Sequence, residues 1–520
     1  MFAPPPELEK LASTQGALPA ERAIPHLLPP VLGTGDLIAL FLFNVFWVTN
    51  ITPMAIGGVS SFLYWGICGL TFFIPCSFVM AQLARMYPAS GGIVTWTFHA
   101  LGAKWSFFVG ICAWLPGILS IVNAAVAVIS LVQAVQPNWL EQTWQQGVAL
   151  LALLLFCSVL ACQRTRMVQH VLNIGACAMG LATILVLAAT VQWLMTGHHP
   201  VSALSVGEMA ITPSNLALLG SATLALFGSN MPLALLGEIP SHQQQRANTR
   251  HLFWGTSLTL AGYLVFTLAV LVIQGAGAAM NTVNPLVLLL STVQRVFGLP
   301  LRNVMALCLG FYFLMIPVAL HVCFARLLVV FSLDRRISRW FGKVTRHRVP
   351  RHAISAQGTI TLAVALVIYF LVPALFSGNA ADLSSMAYNV LGASLLLVWA
   401  ISFVFPFLDL GVLAFRARPL LVRYRLLPLP LLLPLIVLCA VTGSALCLAS
   451  IVFTMMNSFI PSLLPNGTWW YVIGGIALSC LLAFATLSAL SHSEATWEEL
   501  RGEVPDAPAT LDFPGKEIVR

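Results

Sequence analysis

Apolar residues run along this chain in long blocks separated by short polar stretches. That pattern is neither the alternation of a half-buried strand nor the narrow stripe of a surface helix. Twelve blocks approach the roughly 20 residues needed to cross a bilayer. They cover residues 35–58, 60–86, 105–134, 146–162, 167–195, 214–239, 251–274, 302–332, 353–375, 383–414, 427–456 and 468–490. We number them spans 1–12.

Two spans carry polar interruptions at matching depth. Span 1 contains Thr49-Asn50-Ile51-Thr52-Pro53 followed by Gly57-Gly58, and span 6 contains Gly228-Ser229-Asn230-Met231-Pro232. Proline removes a helical hydrogen bond, and freed backbone survives at membrane depth only beside protein or a water-lined cavity. The pairing predicts discontinuous helices 1 and 6, near Val48–Pro53 and Gly228–Pro232, in a five-plus-five inverted repeat. Two ordinary kinks are the alternative.

Composition sharpens the picture. Of 520 residues, 59% are hydrophobic and only 8% charged, with mean hydropathy +0.91. A soluble domain carries about a quarter charged residues, so a soluble enzyme is excluded and an all-α polytopic membrane protein remains. The net charge of +8 is read through the positive-inside rule. With both termini inside, the twelve spans put every Lys and Arg except Arg295 and Arg302 on the cytoplasmic side. No basic stretch is interleaved with exposed aromatics, so nucleic acid is not an expected partner. The eleven cysteines form no C-x-x-C pair and read as small hydrophobes. Neither a metal nor a cofactor is expected. Acids, histidine clusters and nucleophile groupings do not gather at one depth, so no catalytic residue is assigned.

Several segments resemble the amino acid–polyamine–organocation superfamily. Phe73-Ile74-Pro75 and Ala81-Gln82-Leu83-Ala84-Arg85-Met86-Tyr87-Pro88-Ala89-Ser90-Gly91-Gly92-Ile93 resemble that family's span 2–3 region, with Trp96, Leu101-Gly102 and Trp105-Ser106-Phe107 continuing the likeness. Ala325-Arg326-Leu327-Leu328, Asp334-Arg335, Trp340-Phe341 and Val349-Pro350 resemble its span 8–9 loop. Phe227-Gly228 with Glu238 resembles its span 6, and the Phe-Ile-Pro opening of span 2 is similar to the glutamate/GABA antiporter branch.

The resemblance implies a leucine-transporter-type fold of 12 transmembrane helices and amino acid transport by alternating access, as an exchanger or weakly coupled permease. The implied divisions are a cytoplasmic N-terminal tail (1–34), inverted repeats at 35–195 and 214–414, peripheral helices 11 and 12 (427–490), and a cytoplasmic C-terminal tail (491–520). A small-molecule amino acid would bind between helices 1, 3, 6, 8 and 10. Membrane lipids are further partners, the expected assembly is a monomer or homodimer, and the expected location is a plasma membrane, such as a bacterial inner membrane. A transporter-fold sensor, or a permease for another small amine or organic solute, stays open.

The chain departs from the family pattern in three places. Trp47, Val48 and Thr49 stand where helix 1 usually breaks at a GSG-type motif, Asn230 where several exchangers carry glutamate, and Asn173 where many members carry lysine. Interior acids are few: Asp36, Glu238, Asp334 and Asp409 map to cytoplasmic span ends, and Glu141, Glu208 and Asp382 to the outer side. With no carboxylate expected at the midplane, neutral or zwitterionic substrates are favoured over polycations. Asn50 and Asn230 are the leading candidates to line the cavity, joined by Trp47, Val48, Thr49, Phe227, Gly228, Ser229 and, on span 3, Asn123. His321 is expected as a proton relay because imidazole titrates near neutrality. Glu238 is expected to cap a cytoplasmic gate. Each has a structural alternative, from interhelical hydrogen bonds to plain packing.

Overall fold

The computed structural model describes residues 18–205, 207, 209–212, 215–282 and 284–500. Among these residues the secondary structure is helical throughout, with no strand. Eleven helices are long and apolar enough to cross a membrane. They are Thr34–Ala55, Ser60–Met86, Ala103–Val135, Thr143–Ala161, Thr165–Met195, His242–Ile273, Pro285–Leu333, Arg351–Leu375, Ala380–Arg416, Leu429–Met456 and Asn466–Ser491. The sixth expected span falls short of that length because it is broken, into Ala217–Ala225 and a 3-10 helix at Met231–Glu238. With it the bundle has the twelve membrane-crossing elements of an amino acid–polyamine–organocation fold, discontinuous at helices 1 and 6.

The 49-residue helix Pro285–Leu333 would be about 74 Å long at 1.5 Å per residue, far more than a bilayer. Gly298, at φ 76°, divides it into a lateral segment and span 8. Span 8 is the central pillar: its apolar window is 94% buried, against 22% for spans 9 and 12, which turn most of their surface to lipid.

Contacts sort the helix ends onto two faces. On the face carrying the described N-terminus, Arg166 reaches Asp36 and the Val31 carbonyl, Arg416 reaches the Ala100 carbonyl, and Gln82 bonds the backbone at Tyr424 and Leu426. On the opposite face Arg302 donates to the Ala134 carbonyl and Arg295 to that of Ile273. This partition follows the distribution of basic residues along the chain.

Four details differ from or add to the sequence expectation. Span 1 breaks at Phe46–Trp47, ahead of Val48–Pro53, and Pro53 sits inside the short helix Ile51–Ala55. There, in the first turn, its missing N–H leaves no bond unmade. The region read as an N-terminal tail contains a helix, Pro19–Leu27, packed on the protein through Ala20, Ile24 and Leu27. Helix 12 continues to Leu500, so residues 491–500 of the expected tail are helical, and 501–520 lie outside the described residues. Finally, Glu238 and Asp409, which map to span ends, are wholly buried there.

Candidate functional site

The two broken helices meet at their breaks. Gly228 adopts φ +107°, a left-handed conformation open to glycine, and a Cβ there would lie 2.6 Å from the Asn44 carbonyl oxygen. The absent side chain therefore lets span 6 press against the backbone of span 1.

Carbonyls freed by the span 1 break are taken up by aromatic side chains. The Tyr312 hydroxyl of span 8 lies 2.8 Å from the Leu42 carbonyl and 2.9 Å from that of Phe46. The Tyr263 hydroxyl of span 7 lies 2.7 Å from the Val45 carbonyl and 3.1 Å from that of Ala225, and it accepts from the Trp47 N–H at 3.1 Å. One hydroxyl thus bridges both breaks. Trp47 turns its indole N–H back onto the Phe43 carbonyl at 3.0 Å. These bonds answer the demand that buried backbone groups be paired. Sequence reasoning did not single out Tyr263; a polar-tipped aromatic deep in an apolar span was the available signal.

Beyond the breaks, an aromatic cluster joins spans 2, 6 and 10. Phe227 stacks on Phe403 with ring centroids 4.6 Å apart, and also meets Phe72 and Trp399. Trp399 forms one end of a cavity of about 250 Å³ between spans 3 and 10, reaching Phe459 in the loop after span 11. Ser120, Asn123, Tyr388 and Asn389 supply its polar lining, and the Tyr388 hydroxyl donates to the Asn123 amide oxygen. Acidic and basic side chains are absent from this lining. Two buried polar groups lack partners: the Trp399 indole N–H on the cavity lining, and both amide atoms of Asn230 in the span 6 break. An unpartnered buried amide costs about 1–3 kcal/mol, which a ligand or water would offset.

On the terminus face the same elements are shut. Arg326 of span 8 grips Glu238 at the end of span 6 in a two-point ion pair, Nε–Oε1 2.7 Å and Nη2–Oε2 3.0 Å, with both residues buried. The Pro19–Leu27 helix covers this face, with Glu21 2.9 Å from His99 and the Ala20 N–H 2.9 Å from Asp334. Burial pushes the Asp334 carboxyl up to about 7.

The candidates thus separate. Trp47, Val48, Asn50, Phe227, Gly228 and Asn230 lie in or beside the paired breaks, Asn50 donating to the Tyr263 hydroxyl at 3.4 Å. Thr49 lies there too, half-buried in the 3-10 turn. Asn123 lines the cavity. Ser229 instead faces span 2, its hydroxyl 3.7 Å from the sulfurs of Cys76 and Met80. Asn173 of span 5 lies against the start of span 1, donating to Asp36 at 2.7 Å in a network with Gln169 and Arg166. His321 is buried between spans 4 and 8, its Nε2 3.0 Å from the Ser158 hydroxyl. The fold brings neither Asn173 nor His321 to the breaks.

Comparisons with known proteins agree with this architecture. An amino acid permease family profile matches residues 32–479. An uncharacterized transporter of Legionella pneumophila is 23% identical over 357 residues, 65% of this chain and 74% of that protein. Two Arabidopsis thaliana proteins named probable polyamine transporters are each 35% identical over 65 residues, 12% of this chain and 14% or 13% of theirs. With the profile spanning the bundle from the first span into the twelfth, the chain belongs to the amino acid permease family and is a multi-pass membrane transporter, not an enzyme.

Proposed function

We propose that the protein carries neutral or zwitterionic amino acids by alternating access, as an exchanger or weakly coupled permease. The observation that carries this reading is the unpartnered Asn230 amide in the span 6 break, taken together with a cavity whose lining is uncharged. An amide can both donate to a carboxylate and accept from an ammonium, which suits a zwitterion. Trp399, Phe227 and Phe403 would receive the apolar part of the ligand. Trp47, Val48, Thr49, Asn50 and Gly228 would frame it with backbone, and Asn123 with Tyr388 would close over it.

Glu238 and Arg326 would form the gate on the terminus face, which we assign to the cytoplasm in a plasma membrane. Residues 35–195 and 214–414 would act as the two inverted halves. The Phe-Ile-Pro opening of span 2 supports a place near the glutamate/GABA antiporter branch. Its hydrogen bond from span 5 gives Asn173 a supporting role on Asp36, outside coupling itself.

A second reading, transport of an organic amine, is favoured by the short match to the plant proteins. A diamine would want a carboxylate beside it, and none lines the cavity. Thermal-shift competition on the purified protein separates the two, since a ligand that binds the folded state raises its melting point. A neutral amino acid should shift it and putrescine should not; the reverse order would overturn the amino acid reading.

A further inference from the structure

Asp409 is the acid that neither the breaks nor the gate uses. It sits in span 10, buried completely, six residues beyond the Phe403 that stacks on Phe227. That is about 9 Å along the helix axis. Its Oδ2 accepts one hydrogen bond, from the Thr97 hydroxyl at 2.7 Å. Its Oδ1 is buried with no partner at all.

Among the described residues, no charged or titratable side chain of the packed elements bonds to it. On the linker helix Ile93–Leu101, His99 faces Glu21. At the end of span 2, Arg85 reaches the Arg425 carbonyl. Span 10's own Arg416 holds the Ala100 carbonyl, and Lys104 at the start of span 3 is exposed. The Cys439 thiol of span 11 lies toward Cys76.

An ionised carboxylate here would be a buried charge without a counter-ion, costing several kcal/mol. The group therefore holds a proton. Protonated on Oδ2, the acid can donate to the Thr97 hydroxyl, and Oδ1 then remains a buried carbonyl oxygen with no partner. Oδ1 is unsatisfied in either protonation state while the face is closed, and such a group in a native structure calls for an explanation.

The element that covers it is bounded by glycines. The linker helix is flanked by Gly91 and Gly92 at φ +104° and +48°, and by Gly102 at φ +94°, positions where glycine alone is unstrained. On span 10, Pro406 lies between Phe403 and Asp409 and removes a helical bond at that point.

We propose that Asp409 is the proton-carrying group of the transport cycle, protonated while the linker helix covers it and releasing its proton to water when the terminus face opens. This rests on the transport reading. The O–H bond of the carboxylic acid breaks heterolytically, water takes the proton, and the carboxylate left behind is hydrated until the face closes again. Span 10 ties the event to the substrate end, since it also carries Phe403 and Trp399.

The test uses full-length protein in proteoliposomes. A one-unit pH gradient sustains at most about a tenfold substrate gradient for each coupled proton. Wild type should accumulate labelled amino acid under that gradient, and Asp409→Asn should fall to the equilibrium level. Counterflow by Asp409→Asn at constant pH should persist and lose its pH dependence. Infrared spectra should contain a free carboxylic acid band, absent from Asp409→Asn and shifted in Thr97→Val. Gradient-driven accumulation that survives in Asp409→Asn, or an unchanged acid band, overturns the proposal alone. Wild type that exchanges without responding to the gradient overturns it too. Wild type that neither exchanges nor accumulates overturns the transport reading and this proposal with it.

Discussion

At the scale of single residues, the breaks depend on a few atoms. The Tyr263 hydroxyl serves Val45, Ala225 and Trp47 at once. Tyr263→Phe takes the side-chain bond from Ala225 and leaves Val45 and Trp47 only their bond to each other, and a buried backbone group left unpaired costs about 1–3 kcal/mol. The variant should melt several degrees lower and lose most transport, measured by a thermal scan and flux on the same preparation. Gly228→Ala should be worse, because its methyl would collide with the Asn44 carbonyl, and backbone cannot step aside as a flexible side chain can. Wild-type-like flux in Gly228→Ala would mean that the two breaks separate more readily than this packing allows.

The polar residues near the breaks were legible from sequence because Asn50, Asn230 and their prolines stand out in apolar helices. Tyr263 and Tyr312 were not singled out as staples, since their carbonyl partners lie more than 200 residues away, or on another span, for all but folding to reveal. The burial of Asp409 was missed for a different reason. Counting from a span boundary puts it near an end, and only tertiary packing shows Thr97 and the linker helix closing over it.

At the scale of elements, the N-terminal helix and the Glu238–Arg326 pair share the closing of one face. Removing one partner of a buried ion pair leaves the other unpaired, at about 3–5 kcal/mol. Glu238→Gln should therefore destabilise the closed face and raise the reactivity of a cysteine placed beneath it, whereas Arg326→Lys, which keeps a charge, should do less. The helix itself docks with the Ala20 N–H on Asp334, whose carboxyl burial holds near 7 against the lowering effect of the Ala20 N–H and Arg336, with Glu21 reinforcing the rise.

The sign follows from linkage. A carboxyl raised in the docked state binds more protons there than when released, so docking is strongest below its ordinary value near 3.8 and weakens as pH rises through about 7. Limited proteolysis ahead of Pro19 should accelerate across that window, and Asp334→Asn should flatten the dependence. The twelve spans were readable from hydropathy and from the side on which the basic residues fall. The Pro19–Leu27 helix was not, because Pro19 and Pro25 make the segment look like a linker and its apolar face is stabilised by packing, not by propensity.

At the scale of the whole molecule, the arrangement is asymmetric. A cavity with uncharged walls lies in the half away from the termini, while the terminus half is sealed by an ion pair and a covering helix. Alternating access would invert this, parting Glu238 from Arg326 as Tyr388 and Asn123 close. The family was legible from the span 2–3 and span 8–9 segments; the substrate was not, because it is chosen by the cavity walls, which spans distant in sequence build together.

The most direct test is counterflow in proteoliposomes preloaded with unlabelled neutral amino acid. Labelled amino acid should enter and overshoot transiently, with Asn230→Leu abolishing the overshoot while the protein still folds. Absence of any overshoot with amino acids, alongside robust exchange of putrescine that is indifferent to Asn230, would contradict the account.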